Sequence, residues 1–254
     1  MAKPYLSPAS FRFMAHRGLT VGENSQPLDE NTQLAFERAL QVGAGYLEVD
    51  VRASRDGVVV VCHDEDLARI AGRPEKVAEL DWAALQAIRL RKGGKLMSLE
   101  DLLSRFASAR INIDIKSLDA ASGTVQAVRG QNALDRVLIS SFSKKRRMAA
   151  SELLPGVATS SSASELLALW LAHKLGLKAQ MRRILSGLDA LQIPTSRGPL
   201  RFDGESFIDA VKGFGVEIHY WTINDPEIAR RLRARGANGV VSDRIDLIIA
   251  ALAE

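Results

Sequence analysis

Short runs of alternating apolar and polar residues recur along this chain, separated by longer stretches in which apolar residues have a helical spacing. Side chains alternate between the two faces of an extended strand, so the short runs predict strands and the longer stretches predict helices. Strands are predicted over residues 11–16, 46–52, 58–63, 110–116, 136–142, 156–160, 188–193, 216–223 and 239–242. Helices are predicted over 31–42, 98–107, 164–174, 205–213 and 226–235, around Val125 and Val128, and after Ser242.

This strand–helix alternation is typical of parallel strands joined by crossover helices, in the α/β class. With 58–63 counted as an extra strand beside the second, eight strands remain. Both a closed (β/α)8 barrel and an open doubly wound sheet have this pattern. The barrel is favoured because reactive residues end several different strands. We therefore predict a single TIM-barrel domain over residues 1–254, with a short, charge-rich insertion at about 64–97 after the second strand unit.

Four of the strand-like runs contain polar residues where the surrounding pattern is apolar. Leu47, Val49 and Val51 share one strand face, and Glu48 and Asp50 share the other. Carboxylates on an inward face are costly to bury unless a cation meets them. The polar residues of these runs suggest a metal-assisted active site, and they are His16, Arg17, Glu48, Asp50, His63, Asp114 and Lys116.

Composition and charge exclude several classes of protein but do not identify a substrate. Hydrophobic content of 46% and charged content of 25% are ordinary for a globular chain. The net charge of +4 argues only weakly for an anionic ligand, and no nucleic-acid-binding module accompanies it. One cysteine, Cys62, excludes an internal disulfide and fits a reducing compartment. Without a secretory signal or a membrane-length apolar segment, a cytoplasmic protein is expected, with its oligomeric state open.

A set of short motifs occurs in order from His16 to about Asp243, over nearly the whole chain. In sequence they are HRG, ENT, EVDV, HD, INIDIK, SSF, WTIN and GVVSD. HRG or HD alone would carry little weight, whereas the ordered set is specific. In these motifs the chain resembles the glycerophosphodiester phosphodiesterase family.

The resemblance implies a TIM barrel that hydrolyses small-molecule glycerophosphodiesters to sn-glycerol 3-phosphate and an alcohol, using Mg²⁺ or Ca²⁺. By position, His16 and His63 match the family's catalytic histidines, and Glu48, Asp50 and Asp114 match its metal ligands. The positions that match residues near the substrate are Arg17, Glu30, Lys116 and Trp221. This chemistry is coherent, because carboxylate oxygens suit hard cations and two imidazoles can divide the work of general acid and general base.

The chain departs from the family's usual pattern in a few positions. Asp114 stands where the family commonly has Glu, one methylene longer, which affects metal identity and affinity. Asp29 stands where a proline usually precedes ENT, and the loop over residues 19–28 looks longer than usual, which affects substrate access. Ser242 replaces a threonine and keeps its hydroxyl.

Several alternatives stay open at the level of sequence. Glu48 and Asp50 could form a buried ion network with Arg17 and Lys116 rather than bind a metal. The activity could instead be lysophospholipase D-like or a cyclising phosphodiester lyase, or the barrel could bind phosphate with little catalysis. The sequence does not distinguish direct attack by water from a cyclic phosphate intermediate, and it does not identify the head-group alcohol.

Overall fold

The computed structural model describes residues 3–8 and 10–252, and alternating strands and helices form most of it. The strands are β1 Arg12–His16, β2 Tyr46–Ala53, β3 Val59–Val61, β4 Arg110–Ile115, β5 Val137–Ser140, β6 Ala158–Thr159, β7 Ala190–Ile193, β8 Ser196–Arg197, β9 Leu200–Arg201, β10 Glu217–Tyr220 and β11 Gly239–Ser242. The helices are α1 Gln33–Gln41, α2 Ala68–Ala71, α3 Trp82–Ala87, α4 Leu99–Arg105, α5 Ala120–Gly130, α6 Lys144–Ser151, α7 Ala163–Lys174, α8 Lys178–Leu185, α9 Glu205–Lys212, α10 Pro226–Ala234 and α11 Ile245–Leu252.

Eight of the nine strands in the main sheet follow the spatial order β6-β5-β4-β2-β1-β11-β10-β7, and neighbouring strands in this order are parallel. A parallel bridge between Ser160 and Ala190 joins the two ends of the order and closes the sheet. The predicted TIM barrel is therefore confirmed. Strand β3 pairs antiparallel with β2 outside the barrel order, as the extra strand near the second was expected to do.

All of the predicted helices are present, and four helices were not predicted: α2, α3, α6 and α8. Ser98 caps α4 by accepting a hydrogen bond from the Asp101 backbone N–H at 3.0 Å, as its position before the apolar run predicts. The basic helix α8 buries only Met181 and Leu185, so it offers few apolar positions from which to predict it. Within residues 3–8 and 10–252, no helix is long and apolar enough to cross a membrane.

The barrel interior is apolar towards the amino ends of the strands and polar towards their carboxyl ends. In β1, Met14 and His16 alternate inward, and in β2, Tyr46 precedes Glu48 and Asp50 on the same face. Met14 and Tyr46 belong to an apolar cluster that includes residues of the amino-terminal 3-10 turn, Pro4–Leu6. This segment packs on the amino-terminal end of the barrel and leaves the other end for chemistry.

A buried ion pair completes the amino-terminal end of the interior. Arg12 is 1% exposed, and its guanidinium donates to the Glu217 carboxylate at 2.8 and 3.2 Å and to the Pro8 carbonyl at 2.6 Å. Glu217 also contacts Nε2 of the fully buried His219 at 2.9 Å. His219 is therefore a core residue, although its Nδ1 has no hydrogen-bond partner among the described residues.

The segment 64–97 lies between β3 and α4 and is more ordered than its irregular sequence suggests. It contains α2 and α3 and buries a small apolar cluster of its own around Leu67, Ile70 and Leu85. Its tip is fixed to the loop before α1, because the Asp29 carboxylate accepts hydrogen bonds from the backbone N–H groups of Lys92 and Gly94, both at 3.0 Å. Asp29, which stands where the family usually has a proline, thus holds this segment against the loop before α1.

Replacing Arg12 with alanine is expected to lower the free energy of unfolding by about 3–5 kcal/mol, because it leaves the Glu217 carboxylate half-paired in the interior. The measurement is equilibrium denaturation by urea. Arg73→Ala, which removes an exposed arginine paired with Glu75, serves as the control and should change stability little. A loss of less than about 1 kcal/mol for Arg12→Ala would contradict the structural importance of this pair.

Candidate active site

The turn that follows β1 shapes one side of the site. Arg17 and Gly18 both have left-handed backbone conformations, with φ of 57° and 83°. A Cβ atom at residue 18 would lie 2.7 Å from the backbone of Ala35, so only glycine fits there. The Arg17 N–H donates to the Glu48 carbonyl at 3.0 Å, and its own carbonyl accepts from Asn31 N–H at 2.9 Å. The HRG and ENT motifs therefore meet at this turn and orient the Arg17 side chain.

Three carboxylates meet at the carboxyl ends of β2 and β4. Asp50 and Asp114 are direct partners in the register of these parallel strands, and Glu48 lies one inward position earlier on β2. One carboxylate oxygen of each residue lies within 4.8 Å of the others, and all three residues are buried. The strand pleat and the register therefore bring together the predicted acidic trio of Glu48, Asp50 and Asp114.

Two cations partly neutralise this acidic trio. Lys116 Nζ lies 2.9 Å from Asp50 Oδ1 and 2.6 Å from Asp114 Oδ2, and Arg17 Nε lies 3.0 Å from Asp50 Oδ2. Burial alone would raise the pKa of Asp50, but Lys116 and Arg17 outweigh it and lower that pKa. Of the alternative ion network of Glu48 and Asp50 with Arg17 and Lys116, the pairs of Asp50 are therefore present.

Among the described residues, Glu48 is the member of the trio that no lysine or arginine side chain contacts directly. It accepts a hydrogen bond from the Arg17 backbone N–H at 3.2 Å. Burial, followed by repulsion from Asp50, raises the pKa of Glu48 to about 8. The charged form of this carboxylate is therefore the least stabilised of the three.

The acidic trio has the features of a site for a hard divalent cation. All its donors are carboxylate oxygens, which Mg²⁺ and Ca²⁺ prefer. Asp114 Oδ1 is buried without a hydrogen-bond partner in the described chain, and burial and Asp50 raise the pKa of Glu48 although His16 and Lys116 oppose them. The shorter side chain at position 114 still reaches the other two carboxylates.

The carboxylate of Asp243, which lies outside the acidic trio, contacts the Nδ1 side of His16. Nδ1 lies 2.6 Å from Asp243 Oδ1, and Asp243 Oδ2 accepts a hydrogen bond from Asn224 at 2.8 Å. The other ring nitrogen, Nε2, lies 4.0 Å from Glu48 Oε2. Burial lowers the pKa of His16, but the hydrogen bond to Asp243 and the charge of Glu48 raise it above its usual value. The imidazole is thus oriented with Nε2 towards the acidic trio.

His63 has a similar arrangement in the loop after β3. Its Nδ1 lies 2.7 Å from Asp64 Oδ1, and Asp64 Oδ2 accepts a hydrogen bond from Arg69 Nε at 2.6 Å. The backbone N–H of Cys62 donates to the Asp50 carbonyl at 2.9 Å, which fixes the start of this loop beside the trio. No residue in 3–8 or 10–252 forms a hydrogen bond to His63 Nε2.

Glu30 and Trp221 lie at the edge of this cluster. Glu30 accepts from Arg17 at 3.1 Å and from both terminal nitrogens of Arg69 at 2.7 Å. Trp221 follows β10, and its ring lies 5.4 Å from that of Phe142, between centroids. The ammonium of Lys116 lies 5.5 Å from the Phe142 ring centroid. Two aromatic rings therefore flank the lysine end of the site.

The comparison with family models identifies the group to which this arrangement belongs. The model of the glycerophosphoryl diester phosphodiesterase family matches residues 16–247. The chain belongs to this family. The motifs that suggested the resemblance are the segments that supply the side chains of the site, from His16 on β1 to Asp243 after β11.

Relatives of known name agree with the glycerophosphoryl diester phosphodiesterase assignment. A "Probable glycerophosphodiester phosphodiesterase 2" from Mycobacterium tuberculosis is 37% identical over 236 residues, which are 92% of this chain and 88% of the relative. The solved glycerophosphodiester phosphodiesterase of Thermotoga maritima is 26% identical with a TM-score of 0.71, over 94% of this chain and 97% of that one. An Oleispira antarctica phosphodiesterase, solved with the product sn-glycerol-3-phosphate, is 24% identical with a TM-score of 0.77, over 95% and 96%.

Four residues of this phosphodiesterase-family site had no assigned role from the sequence. Asp243 and Asp64 hold the two histidines, Arg69 holds Asp64, and Phe142 packs on Trp221. Asp64 and Asp243 stand within the HD and GVVSD motifs, and Phe142 ends SSF, so the motifs themselves were a usable signal. Arg69 stands in the charge-rich segment 64–97, where nothing in the sequence distinguishes it from its neighbours.

The acidic trio can be tested with Glu48→Gln. In the absence of metal, this change should alter stability little, because burial and Asp50 disfavour the charged form of the Glu48 carboxyl group and glutamine is its uncharged counterpart. In the unmodified protein, Mg²⁺ or Ca²⁺ at about 100 times its Kd should stabilise the fold by about 2.7 kcal/mol. Thermal unfolding with and without metal gives the measurement. An equal metal response in Glu48→Gln would exclude Glu48 as a ligand.

The shorter carboxylate at position 114 leads to a separate test. Asp114→Glu should preserve or increase metal affinity, because the longer side chain restores the family's usual reach to the ion. Calorimetric titration with Mg²⁺ and Ca²⁺ measures the Kd of both proteins. Complete loss of binding would mean that this barrel is built around the shorter side chain.

Proposed function

We propose that this protein hydrolyses glycerophosphodiesters to sn-glycerol 3-phosphate and an alcohol. One observation carries the proposal: two imidazoles, each held at Nδ1 by a carboxylate, flank a buried acidic trio at the open end of the barrel. A site for phosphodiester hydrolysis needs positive charge for the phosphate and two groups that move protons. Both requirements are met by side chains within this cluster.

The proposal includes a divalent cation, Mg²⁺ or Ca²⁺, held by Glu48, Asp50 and Asp114. Such an ion would neutralise phosphate oxygens and hold a hydroxyl group beside the phosphorus. Support comes from the carboxylate-only donor set, its burial and the unpartnered Asp114 Oδ1. The raised pKa of Glu48 points the same way, because a nearby cation would favour its ionised form.

The two histidines would divide the proton transfers. One imidazole takes a proton from the attacking hydroxyl as its oxygen bonds to phosphorus. The other gives a proton to the departing alkoxide as its bond to phosphorus breaks. In this scheme Asp243 keeps His16 oriented and Asp64 keeps His63 oriented, since each occupies Nδ1 and leaves Nε2 for the reaction.

Substrate binding is assigned to Arg17, Lys116, Glu30 and Trp221. The Arg17 guanidinium and the Lys116 ammonium both lie beside Asp50 in the site. Both groups can therefore donate hydrogen bonds to the oxygens of a phosphate bound there. Glu30 acts on the substrate through Arg17, to which it is hydrogen-bonded at 3.1 Å. Trp221, whose ring packs against that of Phe142, supplies an apolar wall for a carbon skeleton.

The direct test mixes the protein with glycerophosphocholine and measures glycerol 3-phosphate, with Mg²⁺, with Ca²⁺ and with a chelator. Release with a metal and loss of release with the chelator are the expected results. A cyclic phosphate product would indicate a lyase, and turnover of lysophosphatidylcholine in preference to glycerophosphocholine would indicate a lysophospholipase D. No release under any condition would favour a phosphate-binding barrel.

His16→Ala and His63→Ala should each reduce kcat by at least ~10²-fold, by the usual magnitude of general acid–base catalysis. The fold should persist, since both side chains lie at the rim and not in an apolar cluster. The rate of glycerol 3-phosphate release and the thermal unfolding profile are measured together. Activity that survives both substitutions would refute the acid–base assignment.

A further inference from the structure

The two histidines differ in how their carboxylate partners are secured. Asp243, the partner of His16, is held by Asn224 through Oδ2, and its own backbone N–H donates to Asn224 Oδ1 at 2.9 Å. These contacts link the end of β11 to the loop after β10, both part of the barrel. Asp64, the partner of His63, has no comparable contact with a barrel strand, and the side chain that holds its second oxygen is Arg69.

Arg69 uses its whole guanidinium in two carboxylate contacts. Nε donates to Asp64 Oδ2 at 2.6 Å, while the two terminal nitrogens donate to the two oxygens of Glu30 at 2.7 Å each. A planar fork can make this pair of contacts at once, whereas a lysine ammonium is a single point charge. Arg69 therefore links the partner of His63 to the partner of Arg17.

The backbone that carries Arg69 is itself fixed. Arg69 lies on α2 between the buried Leu67 and Ile70, and its carbonyl accepts a hydrogen bond from Arg91 at 2.7 Å. The guanidinium therefore extends from an anchored turn of the segment 64–97 across to the ENT loop. Its position depends on packing within that segment and does not depend on substrate.

We propose that Arg69 is a positioning residue for His63: it holds Asp64 against the imidazole and ties it to Glu30. The inference rests on the proposed function, because it assigns His63 a catalytic role. In this arrangement the segment 64–97 contributes to the chemistry without touching the substrate, and one guanidinium sets the spacing between His63 and Arg17. Asp64 also gains a charge partner: burial raises its pKa, but the contacts with Arg69 and His63 together outweigh burial and lower it.

Arg69→Ala should lower kcat by up to about 10²-fold, because this is the loss that a misplacement of about 1 Å can cause. KM should change less than kcat. Arg69→Lys should recover part of kcat by restoring one of the two contacts.

Methylguanidinium added to Arg69→Ala should also recover part of kcat. The double variant Arg69→Ala/Asp64→Asn should lose no more than Asp64→Asn alone, because both act on one unit. Glycerophosphocholine turnover is the readout.

Arg55→Ala is the matched control. Arg55 also links the barrel to the segment 64–97, through a bidentate contact with Asp81, but it has no contact with the site. Its removal should leave kcat unchanged and should give no response to methylguanidinium. Asp29→Asn weakens the other tie of this segment and tests docking separately from positioning.

Two outcomes would overturn the proposal. Arg69→Ala with the kcat of Arg55→Ala would show that His63 needs no such support. An equal loss in Asp29→Asn, with no rescue of Arg69→Ala by methylguanidinium, would mean that Arg69 only docks the segment. If Arg69→Ala fails to fold, the intermediate kcat expected of Arg69→Lys decides. Failure of the proposed function is separate: it appears as no release of glycerol 3-phosphate by the unmodified protein, or, for the role of His63, as full activity in His63→Ala.

Discussion

The structure of this site depends on three buried carboxylates that cannot all remain charged unless positive charge meets them. Glu48, Asp50 and Asp114 project from neighbouring strands into one space, where low solvent access strengthens their repulsion. Lys116 and Arg17 reach Asp50, and Lys116 also reaches Asp114. No lysine or arginine side chain of the described residues reaches Glu48, and burial, followed by repulsion from Asp50, raises its pKa to about 8. The negative charge that Lys116 and Arg17 leave unbalanced makes this end of the barrel suited to a positively charged ligand.

The barrel supports this concentration of charge by separating its two ends. At the amino ends of the strands, Arg12 and Glu217 form a closed ion pair, and the apolar cluster around Met14 and Tyr46 fills the interior. At the carboxyl ends, inward positions are polar and open to the mouth. Parallel strands place all their carboxyl ends on one side, so residues far apart in sequence become neighbours without any distortion of the sheet.

The two histidines are oriented by different parts of the structure. His16 is held by contacts between barrel elements, since Asp243 follows β11 and Asn224 follows β10. His63 depends on the next residue in its own loop and on Arg69, which belongs to the segment 64–97. A segment that looks dispensable to the barrel is therefore connected to the site through Asp64 and Glu30.

The sequence by itself determined the fold class, the positions of the motifs at the ends of strands, and most of the residues that the structure brings together in the site. Alternation placed Glu48 and Asp50 on one face of β2, and the motif set pointed to the phosphodiesterase family before any contact was known. Tertiary structure decided the rest, because it depends on register and on side-chain reach between elements. Three contacts between different elements show this: the pairing of Asp50 with Asp114, the contact of His16 with Asp243, and the reach of Arg69 from Asp64 to Glu30. Spacing along one strand can say which way a side chain points, but it cannot say which side chain of another element will meet it.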